Sequence, residues 1–429
     1  MIYLNQDFER ERELKVLSYK PSNKSNKGFT LVELLIVISI LAALAAAVVV
    51  VINPAEMLRQ GRDSTRMREI GTLHRAISML RIDTPAAPLG SSNTIHVSIP
   101  DTSTTCDNLG LPTPPPGWVY RCVSAANLRN INGTGWIPID FTVMPRGSPL
   151  ASLLIDPVNT VASSNFYVFV TDGRTWALAS LMESERHAPA AARDGGTDAA
   201  RFEAGTNLSL WTSASGLVGY WSFDEGAGTT ARDLSGRGNT GSLHLGTLGN
   251  IYPAAAWVPG QVGRALSFDG VDDFVNVGNH ASLAPIEVIT ITAWIKPSNP
   301  GGHMQSIIAN SPAGHQFNYW LFVDASSLGL SAYSVTFPDL IVPGVIPTAH
   351  IWYHVAFTAS RGGIMRIFVN GNQVGSGTAG TGHWPGGFTT IGELRPGRVL
   401  HFNGLIDEVR IHNRALSAAE IRASFNATR

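Results

Sequence analysis

The sequence predicts an α+β chain dominated by β structure: a long N-terminal helix, a small sheet domain laid over it, and a C-terminal β-sandwich. Three observations predict this. Residues 29–52 form an apolar run whose only charge is Glu33. The 43 Gly and 25 Pro separate short runs rich in Val, Ile, Phe and Thr, the pattern of strands joined by tight turns. At 429 residues the chain is too long for one ordinary domain and suggests two or three.

The run from Phe29 to Ile52 is long enough to cross a bilayer, which needs about 20 residues. A carboxylate such as Glu33 at that depth costs on the order of 3 kcal/mol and calls for a partner. Lys15, Lys20, Lys24 and Lys27 precede the run and Lys296 is the only lysine after it, so positive charge gathers on one side, as in a segment inserted with its N-terminus inside. The bulk of the chain is therefore expected outside the cytoplasm. A formal net charge of -1 gives no electrostatic footprint for nucleic acid, which is not an expected partner.

Ahead of the run stands Lys24-Ser25-Asn26-Lys27-Gly28, basic and small, where a leader peptidase could cut. Cleavage there leaves the hydrophobic helix in the mature chain. The stretch Lys27-Gly28-Phe29-Thr30-Leu31-Val32-Glu33 resembles the type III signal of type IV prepilins and pseudopilins. That resemblance implies a leader over residues 1–28, cleavage between Gly28 and Phe29 by a prepilin peptidase, and N-methylation of Phe29. It implies a single-pass protein of the bacterial inner membrane, held by lipid before assembly, that then joins other pilin subunits in a pilus or at the cell surface. Physical reasoning agrees: after cleavage the Phe29 amine is cationic and Glu33 lies one turn away, so each subunit can offer one charge to a neighbour's opposite charge. Phe29 and Glu33 are thus the expected assembly pair.

The helix is expected to run over 29–83, broken or bent at Asn53-Pro54 and stopped by Asp83-Thr84-Pro85. Ile70, Leu73, Ile77 and Leu80 form a stripe for packing on a sheet, and Arg59, Arg62, Arg66, Arg68 and Arg75 read as a solvated face. Residues 84–182 read as a pilin-like globular region with strands at Trp136–Phe141, Phe166–Val170 and Trp176–Ala179. The Asp156-Pro157-Val158-Asn159 loop resembles a loop that holds calcium in some pseudopilins, but offers too few ligands. Cys106 and Cys122 are expected to pair in an oxidising compartment, contributing roughly 3 kcal/mol by the chain-entropy model; the alternative is two buried thiols. Residues 183–215, rich in Ala and Gly, read as a linker.

From 216 to 429 the rhythm is that of a β-sandwich, with strands at Ile289–Ile295, Tyr319–Val323, Trp352–Thr358, Arg366–Val369 and Ile406–Ile411 and a hairpin turn at Asn370-Gly371. The segments Gly219-Tyr220-Trp221-Ser222-Phe223-Asp224, Ser267-Phe268-Asp269-Gly270-Val271-Asp272-Asp273, Trp352-Tyr353-His354-Val355-Ala356 and Gly404-Leu405-Ile406-Asp407-Glu408-Val409 resemble the laminin G-like, concanavalin A-like jelly roll. That resemblance implies core roles for Trp294 and Trp352, and calcium as the one expected cofactor, with Asp224, Asp233, Asn239 and Asp407 as the oxygen-rich candidates; the alternative is that Asp233 and Asn239 make turn hydrogen bonds and Asp407 supports the terminal hairpin. For a sugar ligand the available rings are Tyr319, Trp320 and Trp384, with Tyr333 and Trp257 beside them. The Glu-x-Asp-x-x-Glu pattern of laminarinase-type enzymes does not occur around Asp407-Glu408, so no catalytic residue and no enzyme activity are expected. The expected function is a minor or tip pilin that presents a carbohydrate- or protein-binding domain for adhesion. The alternatives are a secretion-system pseudopilin with a structural C-terminal domain and, with least support, an anchored glycan-processing enzyme.

Overall fold

The structure, a computed structural model, describes residues 30–246, 256–284, 287–312, 317–333, 340–382, 386–394 and 400–429. It divides into two compact units, Met1–Pro54 and Ala55–Arg429. In the first, helix α1 runs over Leu31–Ile52, 22 residues, which is about 33 Å of helical rise. Among the described residues no helix is long and apolar enough to cross a membrane. The expected span of 29–52 reaches past the described side chains of α1, which end at Ala42. Asn53, in left-handed backbone at φ 43°, closes α1, and Pro54 opens helix α2 (Pro54–Asp83) from a first-turn position that needs no N–H.

The stripe on α2 is buried as expected: Ile70, Leu73, Ile77 and Leu80 are fully covered and pack with Tyr167, Phe169, Trp176 and Leu178. The sheet beneath is built from β1 (Thr94–Val97), β2 (Val119–Arg121), β3 (Tyr167–Thr171), β4 (Trp176–Leu181) and, beyond helix α3 (Ala188–Ala191), β5 (Arg201–Gly205), in the order β2-β1-β3-β4-β5. Only the β1–β2 pair is parallel; the other pairs are antiparallel. Because strand side chains alternate, Val168, Val170, Ala177 and Ala179 face the other way, onto helix α4 (Ser209–Ala214) and the cysteine loop. Trp136–Phe141, expected as a strand, contributes an isolated bridge and a 3-10 turn capped by Asp140, because its apolar side chains fill the core beside α2 rather than extend the sheet.

Two further expectations are corrected here. Residues 183–215 are not a linker: they supply α3, the edge strand β5 and α4, and bury Arg201, Glu203 and Trp211. Arg66 does not belong to a solvated face. It is fully buried, with Nε and Nη2 on the two oxygens of Asp156 (2.6 and 3.0 Å) and Nη1 on Asp63 (2.8 Å) and Glu183 (2.5 Å). Asp156 therefore serves an arginine, and Asp63 and Glu183 complete a network that ties α2 to the sheet. Burial opposes the charge on Arg66, but the three carboxylates more than compensate and hold it protonated.

The C-terminal part runs through β6 (Leu217–Trp221), β7 (Thr230–Ala231), β8 (Gly241–His244), β9 (Trp257–Pro259), β10 (Arg264–Asp269), β11 (Phe274–Gly278), β12 (Val288–Pro297) and β13 (Gln305–Ser311). It continues through β14 (Tyr319–Asp324), β15 (Gly329–Tyr333), β16 (Leu340–Val342), β17 (Tyr353–Ser360), β18 (Ile364–Val369), β19 (Asn372–Thr378), β20 (Phe388–Ile391) and β21 (Asn403–His412), and ends in helix α5 (Ala418–Thr428). One sheet has the order β19-β18-β17-β12-β21-β10-β9 with β6 also paired to β21; the other has the order β16-β15-β14-β13-β20-β11-β8-β7. All described pairings in both are antiparallel, giving the expected jelly-roll sandwich. Strand β12 shows how its sequence builds the core: Ile289, Ile291, Ala293 and Ile295 point between the sheets, while Trp294 points outward. The β18–β19 turn has Asn370 at φ 50° and Gly371 at φ 73°, the left-handed pair that the Asn-Gly signal requires.

Helix α5 covers the outer face of the first sheet. Trp294 Nε1 donates to Thr428 Oγ1 (2.8 Å), and the rings of Trp294 and His354 meet edge-on at 5.3 Å. Trp352 is only half-buried, with Lys296 Nζ 6.0 Å from its ring, which departs from its expected core role. Helix α5 starts with a capping box: Ser417 Oγ accepts from Glu420 N (3.2 Å), and Glu420 Oε2 accepts from Ser417 N (2.9 Å). The same Glu420 receives Arg414 Nη2 (2.9 Å) and Nη1 (3.1 Å) from the sandwich and Arg201 Nη2 (2.9 Å) from β5. Arg414 Nε also donates to the Ser215 carbonyl (2.5 Å). The five-stranded sheet and the jelly roll are thereby joined through buried charge.

Arg66→Ala is expected to lower stability by about 3–5 kcal/mol, because it removes the buried cation shared by Asp63, Asp156 and Glu183; equilibrium urea unfolding of the detergent-solubilised chain measures this. A second prediction concerns pH. Burial, reinforced by nearby Arg410, pushes His354 down to about 3, so the folded state holds it neutral. Its folded pKa lies below the unfolded value of about 6.5, so its contribution is intact above that pH and declines on acidification. Buried acids such as Asp407 have the opposite sign, so the comparison is wild type against His354→Phe. Relative to that variant the wild type is expected to lose about 1.4 kcal/mol per pH unit below about 6.5, read from unfolding curves at pH 7, 6 and 5.

Candidate functional site

Gly28 and Phe29, the expected cleavage and methylation pair, lie outside the described residues, as does Trp384. Glu33 is described. Its Oε2 accepts from Thr30 N (2.9 Å) and Thr30 Oγ1 (2.9 Å), while Glu33 N donates to Thr30 Oγ1 at 3.2 Å. Thr30 and Glu33 therefore form a reciprocal cap on α1, in the Ser/Thr-x-x-Glu pattern legible at Thr30-Leu31-Val32-Glu33. Leu31, Val32, Leu34 and Leu35 are exposed around it. Cys106 and Cys122 are joined in a disulfide with Cα atoms 5.3 Å apart.

In the jelly roll the expected calcium set is not assembled as a metal site. Asp233 accepts four hydrogen bonds, from Tyr220 N, Ser235 N, Ser235 Oγ and Asn239 N, which uses the lone pairs a carboxylate offers. Asn239 turns its amide nitrogen to the Val218 carbonyl (2.6 Å) and Ser282 Oγ (3.0 Å). Asp224 and Asp407 instead hold the turn between β9 and β10, accepting from Arg264 N (2.8 Å) and from Gln261 N (2.9 Å) and Val262 N (3.0 Å) respectively. Burial, with Glu408 and Asp224 adding negative potential, pushes the Asp407 carboxyl up to about 8. Asp407 Oδ1 is left without a partner, but among the described residues the three carboxylates of this set do not come together as a cation-binding group.

A different group does come together. Asp269, Asp272 and Asp273 lie in the turn between β10 and β11 with ligand-capable oxygens within 4.8 Å of one another. Asp273 is buried and accepts from Gly246 N (3.1 Å) and Asp269 N (3.0 Å). Among the described residues, Asp269 Oδ2 and Asp272 Oδ1 are buried without a hydrogen-bond partner, and Asp273 is raised by burial and by the neighbouring carboxylate charges. Three carboxylates in the five residues Asp269-Gly270-Val271-Asp272-Asp273 were the legible signal for this group.

The expected sugar platform is not exposed at its described residues. Tyr319 is 1% exposed, its hydroxyl 3.3 Å from Thr389 Oγ1; Trp320 is 8% exposed, donates to Ser306 Oγ (3.1 Å) and stacks on Phe322 at 3.8 Å. Neighbouring residues on a strand face opposite ways, so one ring enters the core between the sheets and the other an aromatic cluster on the outer face with Phe317 and Tyr333. Tyr333 is half-buried and Trp257 is buried. Glu408 is bound by Arg410 Nη2 (2.5 Å) and Tyr220 Oη (3.0 Å), which commits it to an internal ion pair.

With these features in place, comparison with known proteins gives two matches along the chain. Residues 23–49 match the prokaryotic N-terminal methylation motif. Residues 269–422 match the concanavalin A-like lectin/glucanases superfamily. No curated protein matches the chain. Among solved structures, the binding domain of Paraclostridial Mosquitocidal Protein 1 is 16% identical over 49% of this chain and 52% of that one, with a TM-score of 0.39. Domain 4 of an extracellular arabinanase from Geobacillus stearothermophilus, in complex with arabinotriose, is 20% identical over 48% of this chain and 97% of that domain, with a TM-score of 0.37. The match thus spans about half the length of the mosquitocidal binding domain. The type IV prepilin motif and the jelly roll are both features of this chain.

Proposed function

We propose that the protein is a minor or tip subunit of a type IV pilus-like filament that presents its jelly roll for binding surface carbohydrate or protein. Prepilin peptidase cleaves between Gly28 and Phe29, the helix beginning at Phe29 holds the subunit in the inner membrane, and Phe29 and Glu33 pair across neighbouring subunits in the filament. The observation that carries the reading is the joint occurrence of the methylation motif at 23–49 and a jelly roll bonded through Glu420 to the pilin-like sheet. A sandwich of that bulk on every subunit would crowd a packed shaft, which favours a sparse or terminal position. The paired state of Glu408 and the missing carboxylate motif favour binding over catalysis.

Calcium remains part of the proposal, now at Asp269, Asp272 and Asp273, where the unpartnered oxygens give a cation something to neutralise. Added calcium is expected to raise the melting temperature of the full chain and chelator to reverse the rise; Asp272→Asn is expected to remove the effect. An unchanged melting temperature with and without calcium defeats this assignment.

The filament reading is tested with Glu33→Leu. Insertion is expected to persist, since the segment becomes more hydrophobic, and leader cleavage is expected to continue. Docking would leave a buried Phe29 ammonium unpaired at a cost of roughly 3–5 kcal/mol. Immunogold labelling with antibody to the jelly roll is expected to mark filaments sparsely or at tips in the wild type. In the variant the label is lost from sheared filaments, with mature protein accumulating in the membrane. Normal label on Glu33→Leu filaments would rule out the pairing.

A further inference from the structure

Between the pilin-like sheet and the jelly roll lies a cavity of about 130 Å³. Its walls are apolar, formed by Ile95, Leu111, Phe166, Val168, Trp211 and Ala214. At its polar side stand Arg201, Arg414 and Glu420. The Arg201 guanidinium is 2% exposed and lies over the rings of Trp211 (5.1 Å) and Phe166 (6.0 Å).

Arg201 is incompletely used. Its Nη2 reaches Glu420, but among the described residues Nε and Nη1 have no hydrogen-bond partner, and the Asp198 carboxylate stands 3.6 Å from Nε. Leaving N–H groups of a buried guanidinium unmade is costly, and an acceptor in the cavity would remove that cost. Arg414, by contrast, spends Nε, Nη1 and Nη2 on Ser215 and Glu420. Of the two guanidinium groups on the cavity wall, the one with unfilled donors is therefore Arg201. A planar guanidinium favours a carboxylate, which can accept two parallel N–H bonds. The rest of the wall is mainly apolar, with Tyr120, Ser164 and Ser417 also on it, and the volume is close to the roughly 150 Å³ known to hold a benzene ring.

We propose that this cavity is a binding site for a small amphipathic carboxylate, its charged end on Arg201 and its apolar body against Trp211 and Phe166. Such a ligand would bridge the two folded parts at the seam. One wall, Gly110 to Pro112, comes from the loop closed by Cys106 and Cys122, so the disulfide helps to shape the site.

The test uses the full chain in detergent, with benzoate as probe, benzyl alcohol as neutral control and a detergent-only blank, read by calorimetry and saturation-transfer NMR. Benzoate is expected to bind with one-to-one stoichiometry and at least about tenfold tighter than benzyl alcohol, as a charge-assisted contact implies. Ala214→Leu fills the space and leaves every charge in place; it is expected to weaken benzoate binding at least about tenfold. Val161→Phe, filling from another wall, is used if Ala214→Leu loses its folded circular dichroism. Arg201→Lys is expected to weaken benzoate while leaving benzyl alcohol unchanged. Absence of saturable benzoate binding, as for a cavity holding water alone, overturns the proposal. Equal affinity for the two probes, or benzoate binding that survives a folded cavity-filling variant, also overturns it.

Discussion

The carboxylate of Glu420 is the point on which the Ala55–Arg429 unit closes. It caps α5, receives a bidentate arginine from the end of the sandwich, and receives a second arginine from the edge strand of the five-stranded sheet. Burial by itself would raise this acid, but Arg414 and Arg201 hold it far below the usual carboxylate range. A buried pair of this kind adds little net stability over an apolar contact of the same shape, yet removing one member costs about 3–5 kcal/mol. Its effect is therefore on geometry: alternative placements of the jelly roll on the sheet would strand a buried charge.

That constraint changes what the C-terminal domain can do. A sandwich on a flexible tether would sample many orientations, whereas one fixed by α5, Ser215 and Glu420 presents the same surface on every copy. It also explains why the stretch 183–215 is structured despite its small residues. β5 must carry Arg201 to the seam, α4 must cover the far side of the sheet with Trp211, and the turn before β5 must supply Asp198.

What was legible in the sequence follows from the range of the interactions involved. The apolar stripe of α2, the strand at Ile289–Ile295 and the Asn370-Gly371 turn are local patterns legible in the sequence. The Arg66 network was not, because Asp156 lies 90 residues away and an arginine with a remote partner looks like one in solvent. Glu420 and Arg201 are 219 residues apart, and the only local sign was the Ser417-Ala418-Ala419-Glu420 capping pattern. Tyr319 and Trp320 are unavailable to a sugar because both faces of β14 are covered, a property of the folded sandwich and its outer cluster that strand periodicity does not carry. The four calcium candidates are not brought together for a related reason: oxygen-rich turns are as well suited to backbone N–H groups as to a cation, and here N–H groups take Asp233, Asp224 and one oxygen of Asp407.

Glu33 shows how a local cap and a proposed assembly contact can share one carboxylate. In the single chain it is held by the amide and hydroxyl of Thr30, so it is not an idle charge waiting in an apolar helix. In the proposed filament the ammonium of a neighbouring subunit would take over from Thr30, and the pairing would spare both groups the cost of an unpaired buried charge. Until then the cap keeps the carboxylate satisfied and pre-positioned.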